Sequence, residues 1–273
     1  MYMHTNYKLK THNPTMIGCI VQARIGSTRF PGKILKSVDN NETVLSFGIK
    51  QLKSSKYIDE IVVATTTLPE DDIVIDYVEK LNVKSFRGSS KNVLDRYYQC
   101  AKKFSFPTIV RITSDCPLID PKIVDKVISY YLENEDRIDY VSNVHPVTTF
   151  PDGTDVEVFS FKALEQAWSE AKMPSEREHV TPYIYNSNKF RLGTFDNSKN
   201  LSNFRWTVDH DVDLELICEL VHMIPNRPIL MENILDLFSN KPDLQKINQG
   251  ISNKEGYLIS LKEDEKFLNS TKN

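Results

Sequence analysis

Ile17-Gly-Cys-Ile-Val21 runs directly into Gln22-Ala-Arg-Ile-Gly-Ser-Thr-Arg-Phe-Pro-Gly-Lys33. The first stretch is a short apolar run bounded by polar loops, the pattern of a strand buried on both faces. From Gln22 to Val38 there follow four cations (Arg24, Arg29, Lys33, Lys36) and no acid. Gly26 and Gly32 open backbone conformations closed to other residues, and Ser27 and Thr28 add hydroxyl donors. Arginine forks and ammonium groups suit phosphate oxygens. A solvated basic loop is the plain alternative, but the position directly after a buried strand favours an anion site. The loop is not a Walker A motif, because five residues separate Gly26 from Gly32 and Ile34 follows Lys33. The dinucleotide fingerprint G-x-G-x-x-G is also absent.

Outward from this stretch the chain alternates strand-like and helix-like segments. Strands are expected at 61–64, 83–86, 108–112 and 140–141, with helices at 43–54, 73–81, 92–104 and from Pro121 onward. This rhythm implies a Rossmann-like, doubly wound α/β fold with a mostly parallel sheet. Ligands in such sheets sit beyond the carboxyl ends of strands, which brings together the loops 22–33, 65–72 and 113–120. After Ser142 the pattern changes. Strands at 155–159 and 190–195 and helices at 161–172 and 176–185 suggest a small, partly antiparallel subregion over 142–200 for acceptor binding or dimerisation. Trp206-Thr-Val-Asp209 reads as a late strand, and a helix follows through Leu214–Ile224. The domain layout expected is a disordered lead-in over 1–15, a main α/β domain over 16–240 and a polar tail over 241–273.

The bulk numbers exclude more than they assign. The net charge of -3 argues against a general nucleic-acid binder. No run approaches the roughly 20 apolar residues of a membrane span, and the first fifteen residues lack the apolar centre of a secretory signal. The four cysteines form no Cys-x-x-Cys pair and read as free thiols, which points to the cytoplasm. The histidines show no zinc-ligand spacing.

Gln22 to Leu35 resembles the signature loop of the cytidylyltransferases that activate acidic sugars, which reads roughly Ala-Arg-x-x-Ser-x-Arg-x-Pro-x-Lys. Arg24, Ser27, Arg29, Pro31 and Lys33 match. The group includes the CMP-Kdo and CMP-sialic acid synthetases, and the spore-coat polysaccharide branch is more similar still. Further support comes from Ile61-Val-Val-Ala-Thr-Thr-Thr67, Phe86-Arg-Gly-Ser89, Val93-Leu-Asp-Arg-Tyr97, Arg111-Ile-Thr-Ser-Asp115, Phe150-Pro-Asp-Gly-Thr-Asp155, Ser175-Glu-Arg-Glu-His179 and Arg205-Trp-Thr-Val-Asp209. The resemblance implies a fold of the nucleotide-diphospho-sugar transferase type, CTP as donor, magnesium as cofactor and a homodimer. It also implies triphosphate contacts from Arg24, Ser27 and Lys33, and metal ligation by Asp115 and Asp209.

Read by their own chemistry, Asp115 and Asp209 come from two separate strand ends, as magnesium requires when it takes one or two carboxylates plus phosphate oxygens and water. Asp115 reads otherwise as a turn carboxylate before Pro117. Asp211 reads equally as a third ligand or as a helix N-cap. Lys33, Arg24 and Asp115 are the expected catalytic groups, the two cations stabilising the charge of departing pyrophosphate and Asp115 holding the metal. Ala23, Gly26 and Arg29 complete the expected nucleotide contacts of the loop. Thr65, Arg87, Gly88 and Asp95 are candidates for the base side. Asp152, Asp155 and Glu157, with Arg177, Glu178 and His179, form a mixed acid–base set suited to a polyhydroxylated, anionic acceptor. His179 reads also as a structural hydrogen bonder. The function expected is CMP transfer from CTP to an acidic sugar, or to a phosphorylated or phosphonate acceptor, in surface glycan biosynthesis. The competing reading is a nucleotide-sugar-dependent glycosyltransferase that uses Asp209-His-Asp211 to hold a metal.

Overall fold

The computed structural model describes residues 16–251 and 255–270; the expected lead-in over 1–15 lies outside them. Seven strands form one sheet: β1 (Ile17–Gln22), β2 (Glu60–Thr66), β3 (Lys84–Gly88), β4 (Thr108–Thr113), β5 (Tyr140–Ser142), β6 (Glu157–Ser160) and β7 (Leu192–Thr194). Their order is β3-β2-β1-β4-β6-β5-β7. The β1–β2, β1–β4 and β2–β3 pairs are parallel, β6 runs antiparallel to both β4 and β5, and β5–β7 is parallel again. The fold is therefore Rossmann-like α/β with a small antiparallel portion, as the alternation of elements implied.

The order reverses between β1 and β4, because chain connections run outward to β2 on one side and to β6 on the other. That switch point leaves a crevice at the carboxyl ends of β1 and β4. The loops after Gln22 and Thr113 open into it.

Helices cover both sheet faces. Helix α1 (Val44–Leu52), α2 (Asp72–Lys80) and α4 (Pro121–Asn134) bury Leu45, Val74 and Val124 against Cys19, Val21, Val63 and Val110. On the other face, α3 (Val93–Phe104) and α5 (Phe161–Glu170) pack Tyr97 and Leu164 against Ile20, Val62 and Ile109. Side-chain caps fix where these helices begin: Thr43 for α1, Asn92 for α3, Asp120 for α4 and Ser160 for α5. Cys19, Cys100 and Cys116 are buried free thiols and Cys218 is half-buried.

Two expectations need correction. Residues 206–209 are not a sheet strand; the segment makes an isolated bridge at Arg205 with Asp152 and joins no sheet. The helix expected over 176–185 is two, α6 (Pro174–His179) and α7 (Pro182–Asn186), because Val180 adopts a φ of 73° and Pro182 cannot continue the first helix. The described residues of the polar tail add a further helix. After α8 (Asp211–Met223) and α9 (Met231–Asn240), which enclose Trp206 in a third core, comes α10 (Glu255–Ser270). No described helix is long and apolar enough to cross a membrane.

Candidate active site

The crevice at the switch point is a cleft of about 650 Å³, lined by Ala23, Arg24, Ser27, Arg29 and Lys33 of the loop after β1 and by Asp115 after β4. That volume lies within the usual range for a small-molecule site. The loop is pinned at both ends. Ala23 N donates to Ala64 O at 3.1 Å and Ile25 N to Asp71 Oδ1 at 2.7 Å. Gly32 N returns to Ile25 O at 3.1 Å, with Gly32 at a φ of 67° that favours glycine. This turn drives Lys33 inward, to 8% exposure.

Lys33 Nζ donates to Asp115 Oδ2 at 2.6 Å and to Asp209 Oδ1 at 2.7 Å. Arg29 reaches the same Asp209 oxygen at 2.5 Å, and Arg205 reaches its Oδ2 at 3.1 Å. Arg24 pairs with Glu178 at 3.1 Å. The loop carries no acid of its own, yet three of its cations have counter-charges delivered from distant segments. Burial raises the Asp209 carboxyl, but Lys33 and Arg29 overcome it and hold the group far below the usual carboxylate range. Asp115 behaves likewise through Lys33. Burial pulls the Lys33 ammonium down, and the two carboxylates more than reverse that. Two carboxylates thus converge on one buried cation, an arrangement in which all three groups stay ionised.

Asp209 reaches the cleft without a sheet strand to carry it. Residues 204–208 thread between two loops: Trp206 N donates to Asp152 O at 2.7 Å and Val208 N to Asp115 O at 2.8 Å. Gly153 makes this contact possible. A Cβ there would stand 2.6 Å from Thr207 N, and its φ is 96°. Arg205, buried at the centre, donates to Asp152 Oδ2 at 2.6 Å and to Asp213 Oδ1 at 3.0 Å. Burial and neighbouring acids push Asp152 up to about 6 against the pull of Arg205, and push Asp155 well above its ordinary value. Asp155 Oδ1 is buried without a hydrogen-bond partner among the described residues.

Asp155, Glu178 and His179 line the cleft with Asp152. The remaining expected residues fall elsewhere. Gly26 faces Glu70. Thr65 is fully buried, and Arg87 turns to Thr66 O, Leu68 O and Asp72. Gly88 is crowded by Phe86 and Arg96, so it packs inside its own element. Asp95 accepts from Trp168 Nε1 at 2.8 Å and from Gln99. Glu157 is consumed below the cleft floor by Arg111, Tyr140 and Thr181. Arg177 donates to Ala171 O at 2.6 Å. Asp211 is exposed at the start of α8, and it is the fully buried Asp213 that accepts the Asp209 and His210 N–H groups, both at 3.0 Å. Local partners of the opposite charge or polarity hold Arg87, Asp95, Glu157 and Arg177 in these positions. Conversely, Arg96 and Arg111 line the cleft, and Arg111 is a site residue that sequence reasoning missed. The only signal for Arg111 was a cation inside an otherwise apolar strand.

Among the described residues no group of three or more His, Cys, Asp or Glu could hold a metal unaided. Two hard carboxylates around a cation position suit an ion that arrives with phosphate oxygens.

His179 Nε2 lies 2.9 Å from Ser260 Oγ, and burial, with Arg111 adding to it, lowers the imidazole to about 4. The unfolded chain protonates this histidine near 6.5 and the folded one only near 4. The unfolded state therefore binds more protons between those values, and stability falls as pH drops through that window, by up to about 3 kcal/mol. Urea unfolding at stepped pH should show the loss, and His179→Gln should flatten it; an unchanged slope in the variant would refute the assignment.

Strand order, switch-point cleft and a cationic loop facing two aspartates define the class, a nucleotidyltransferase-type α/β protein. The family model described as cytidylyltransferase matches residues 18–254, and the chain belongs to the cytidylyltransferase family. It is 38% identical over 238 residues to the uncharacterized protein MJ1063 of Methanocaldococcus jannaschii, covering 86% of this chain and 95% of that one. It is 29% identical over 233 residues to the spore coat polysaccharide biosynthesis protein SpsF of Bacillus subtilis, covering 82% and 94%. Among solved structures, a cytidylyltransferase from Leptospira borgpetersenii is similar with a TM-score of 0.82 at 35% identity, covering 87% of this chain and 99% of that chain.

Proposed function

We propose that this cytidylyltransferase transfers CMP from CTP to an acidic sugar, releasing pyrophosphate, in the cytoplasmic supply of a surface glycan. The observation that carries the reading is the Lys33–Asp115–Asp209 cluster at the switch point. Arg24, Arg29 and Lys33 offer three cations on one loop to a triphosphate. Triphosphate entry gives Lys33 and Arg29 a second set of anionic oxygens beside the carboxylates they already hold.

The acceptor hydroxyl oxygen forms a bond to the α-phosphorus, the bond from that phosphorus to the bridging oxygen of the β-phosphate breaks, and pyrophosphate leaves. The hydroxyl proton passes to water. Catalysis rests on positioning and on fixed positive charge where the leaving group gains negative charge. Lys33 and Arg29 supply that charge. Asp155, with its unpartnered oxygen at the cleft wall, is our contact for the acceptor hydroxyl. Arg96 and Arg111 are the cations left to orient an acidic acceptor. A magnesium ion, held by Asp115 and Asp209 together with phosphate oxygens, would neutralise phosphate charge and acidify the acceptor hydroxyl. We infer a homodimer on the family resemblance, which light scattering of the purified chain tests directly.

The decisive experiment follows pyrophosphate with CTP, ATP, GTP or UTP against acidic sugars, phosphorylated sugars and phosphonates. CTP with an acidic sugar should exceed every other pair by about a hundredfold. Turnover only with a phosphorylated acceptor would overturn the acceptor class. Sugar transfer without pyrophosphate would mean a glycosyltransferase, a reading that the outward position of Asp211 does not favour.

A further inference from the structure

The family model ends at residue 254, and α10 begins at Glu255. Yet α10 is not a loose appendage. Asp264 accepts from Ser175 N at 2.8 Å and from Ser175 Oγ at 2.5 Å, so it caps the start of α6 from another element. One turn earlier Ser260, only 7% exposed, meets His179 at 2.9 Å, and Tyr257 stands edge-on to the same imidazole. At its first turn Gly256 abuts Arg29 of the phosphate loop, where a Cβ would lie 3.1 Å from the guanidinium. Between these anchors, Ile259 and Glu263 line the cleft.

We propose that α10 is the acceptor-side wall of this site and determines which acceptor the chain takes. The inference rests on the function proposed above. Glu263 lies close enough to Glu178 to raise its carboxyl further, after burial. Glu178 already accepts from Arg24, so Glu263 is the acid of this pair with no ion pair among the described residues, and it offers the cleft a group that accepts hydrogen bonds. That carboxylate suits the hydroxyl-bearing part of a sugar, with the acidic group turned toward Arg96 and Arg111. Ile259, 53% exposed, adds an apolar surface for the carbon skeleton. Glu263 is thus a specificity-determining residue. Asp264 is a positioning residue, because it acts by holding α6 and with it Glu178 and His179. The nucleotide is held by the loop after β1 and should be indifferent to both acids.

The test uses full-length Glu263→Gln and Asp264→Ala, with CTP and magnesium and with 3-deoxy-manno-octulosonate or N-acetylneuraminate as acceptor. Loss of one charged hydrogen-bonding group should raise the acceptor KM about tenfold in each variant, with CTP affinity by calorimetry changed less than about twofold. Unchanged acceptor KM in both, or an equal loss of CTP affinity, overturns the proposal. If the wild-type chain releases no pyrophosphate with any acceptor, the reading of function fails instead. Amide exchange over residues 174–181 then still decides the role of α10: it should rise about tenfold in Asp264→Ala, and unaltered protection would overturn that role.

Discussion

Lys33→Ala should lower turnover by about 10²–10³, the penalty for deleting one fixed charge aimed at developing negative charge. The same substitution should reveal a magnesium dependence of stability that the wild-type chain lacks. Lys33 is 8% exposed and is the shared partner of Asp115 and Asp209. Without it, Asp209 keeps Arg29 and Arg205, but Asp115 loses its one ion pair among the described residues. Breaking one partner of a largely buried ion pair costs about 3 kcal/mol or more. A divalent ion that fills the vacated position binds the folded state alone and restores stability by mass action. Thermal unfolding with millimolar magnesium and with a chelator is the measurement. The variant's midpoint should climb several degrees with magnesium while the wild-type midpoint moves little. Equal responses would mean that Asp115 and Asp209 are not where the ion binds. Lys33→Arg should fail to rescue turnover, since the planar fork does not fit a pocket shaped around an ammonium.

This cluster also shows how far the sequence could be read. The strand Ile17–Gln22 and the loop behind it were legible because both signals are local: an apolar run, then cations without acids. The counter-charges were not, because they stand 82 and 176 residues away from Lys33. Asp115 and Asp209 were found through the family resemblance and the strand-end rule, although the second rested on a strand that does not form. Trp206-Thr-Val-Asp209 alternates like a strand, yet its backbone is spent on Asp152 and Asp115 between two loops. Arg87 and Asp95 show the converse error. Each sits at a plausible address, and a nearby partner, Asp72 or Trp168, turns it away. For α10 the difficulty was amphipathicity without a visible partner. Its polar side chains Ser260 and Asp264 face α6, while Leu258 and Leu268 are left exposed. A helix that docks by polar contacts leaves no apolar stripe pointing at its docking surface.

Asp213→Ala should be the most destabilising single change near the site, although Asp213 is not itself part of the cleft lining. Its carboxylate is fully buried and accepts from Arg205 Nε at 3.0 Å, Asn248 Nδ2 at 2.9 Å, and the N–H groups of Asp209 and His210 at 3.0 Å each. Alanine would strip the buried guanidinium of one of its three carboxylates and leave two backbone donors at the start of α8 without an acceptor. An uncompensated buried charge contact and a lost cap together amount to about 3–5 kcal/mol. Asp213→Asn keeps one carbonyl oxygen for the backbone donors and should lose only about 1–2 kcal/mol. The damage also reaches the chemistry. Arg205 would lose its Asp213 ion pair while keeping those to Asp152 and Asp209, and the turn that fixes Asp209 beside Lys33 would lose the carboxylate that accepts from its Asp209 and His210 N–H groups. Turnover should therefore fall at temperatures where Asp213→Ala is still fully folded. Urea unfolding gives the first quantity, and pyrophosphate release well below the unfolding midpoint gives the second. A loss under about 1 kcal/mol would show that Asp152 and Asp209 suffice to hold Arg205, and that Asp209 is positioned by the 204–208 segment without help from α8.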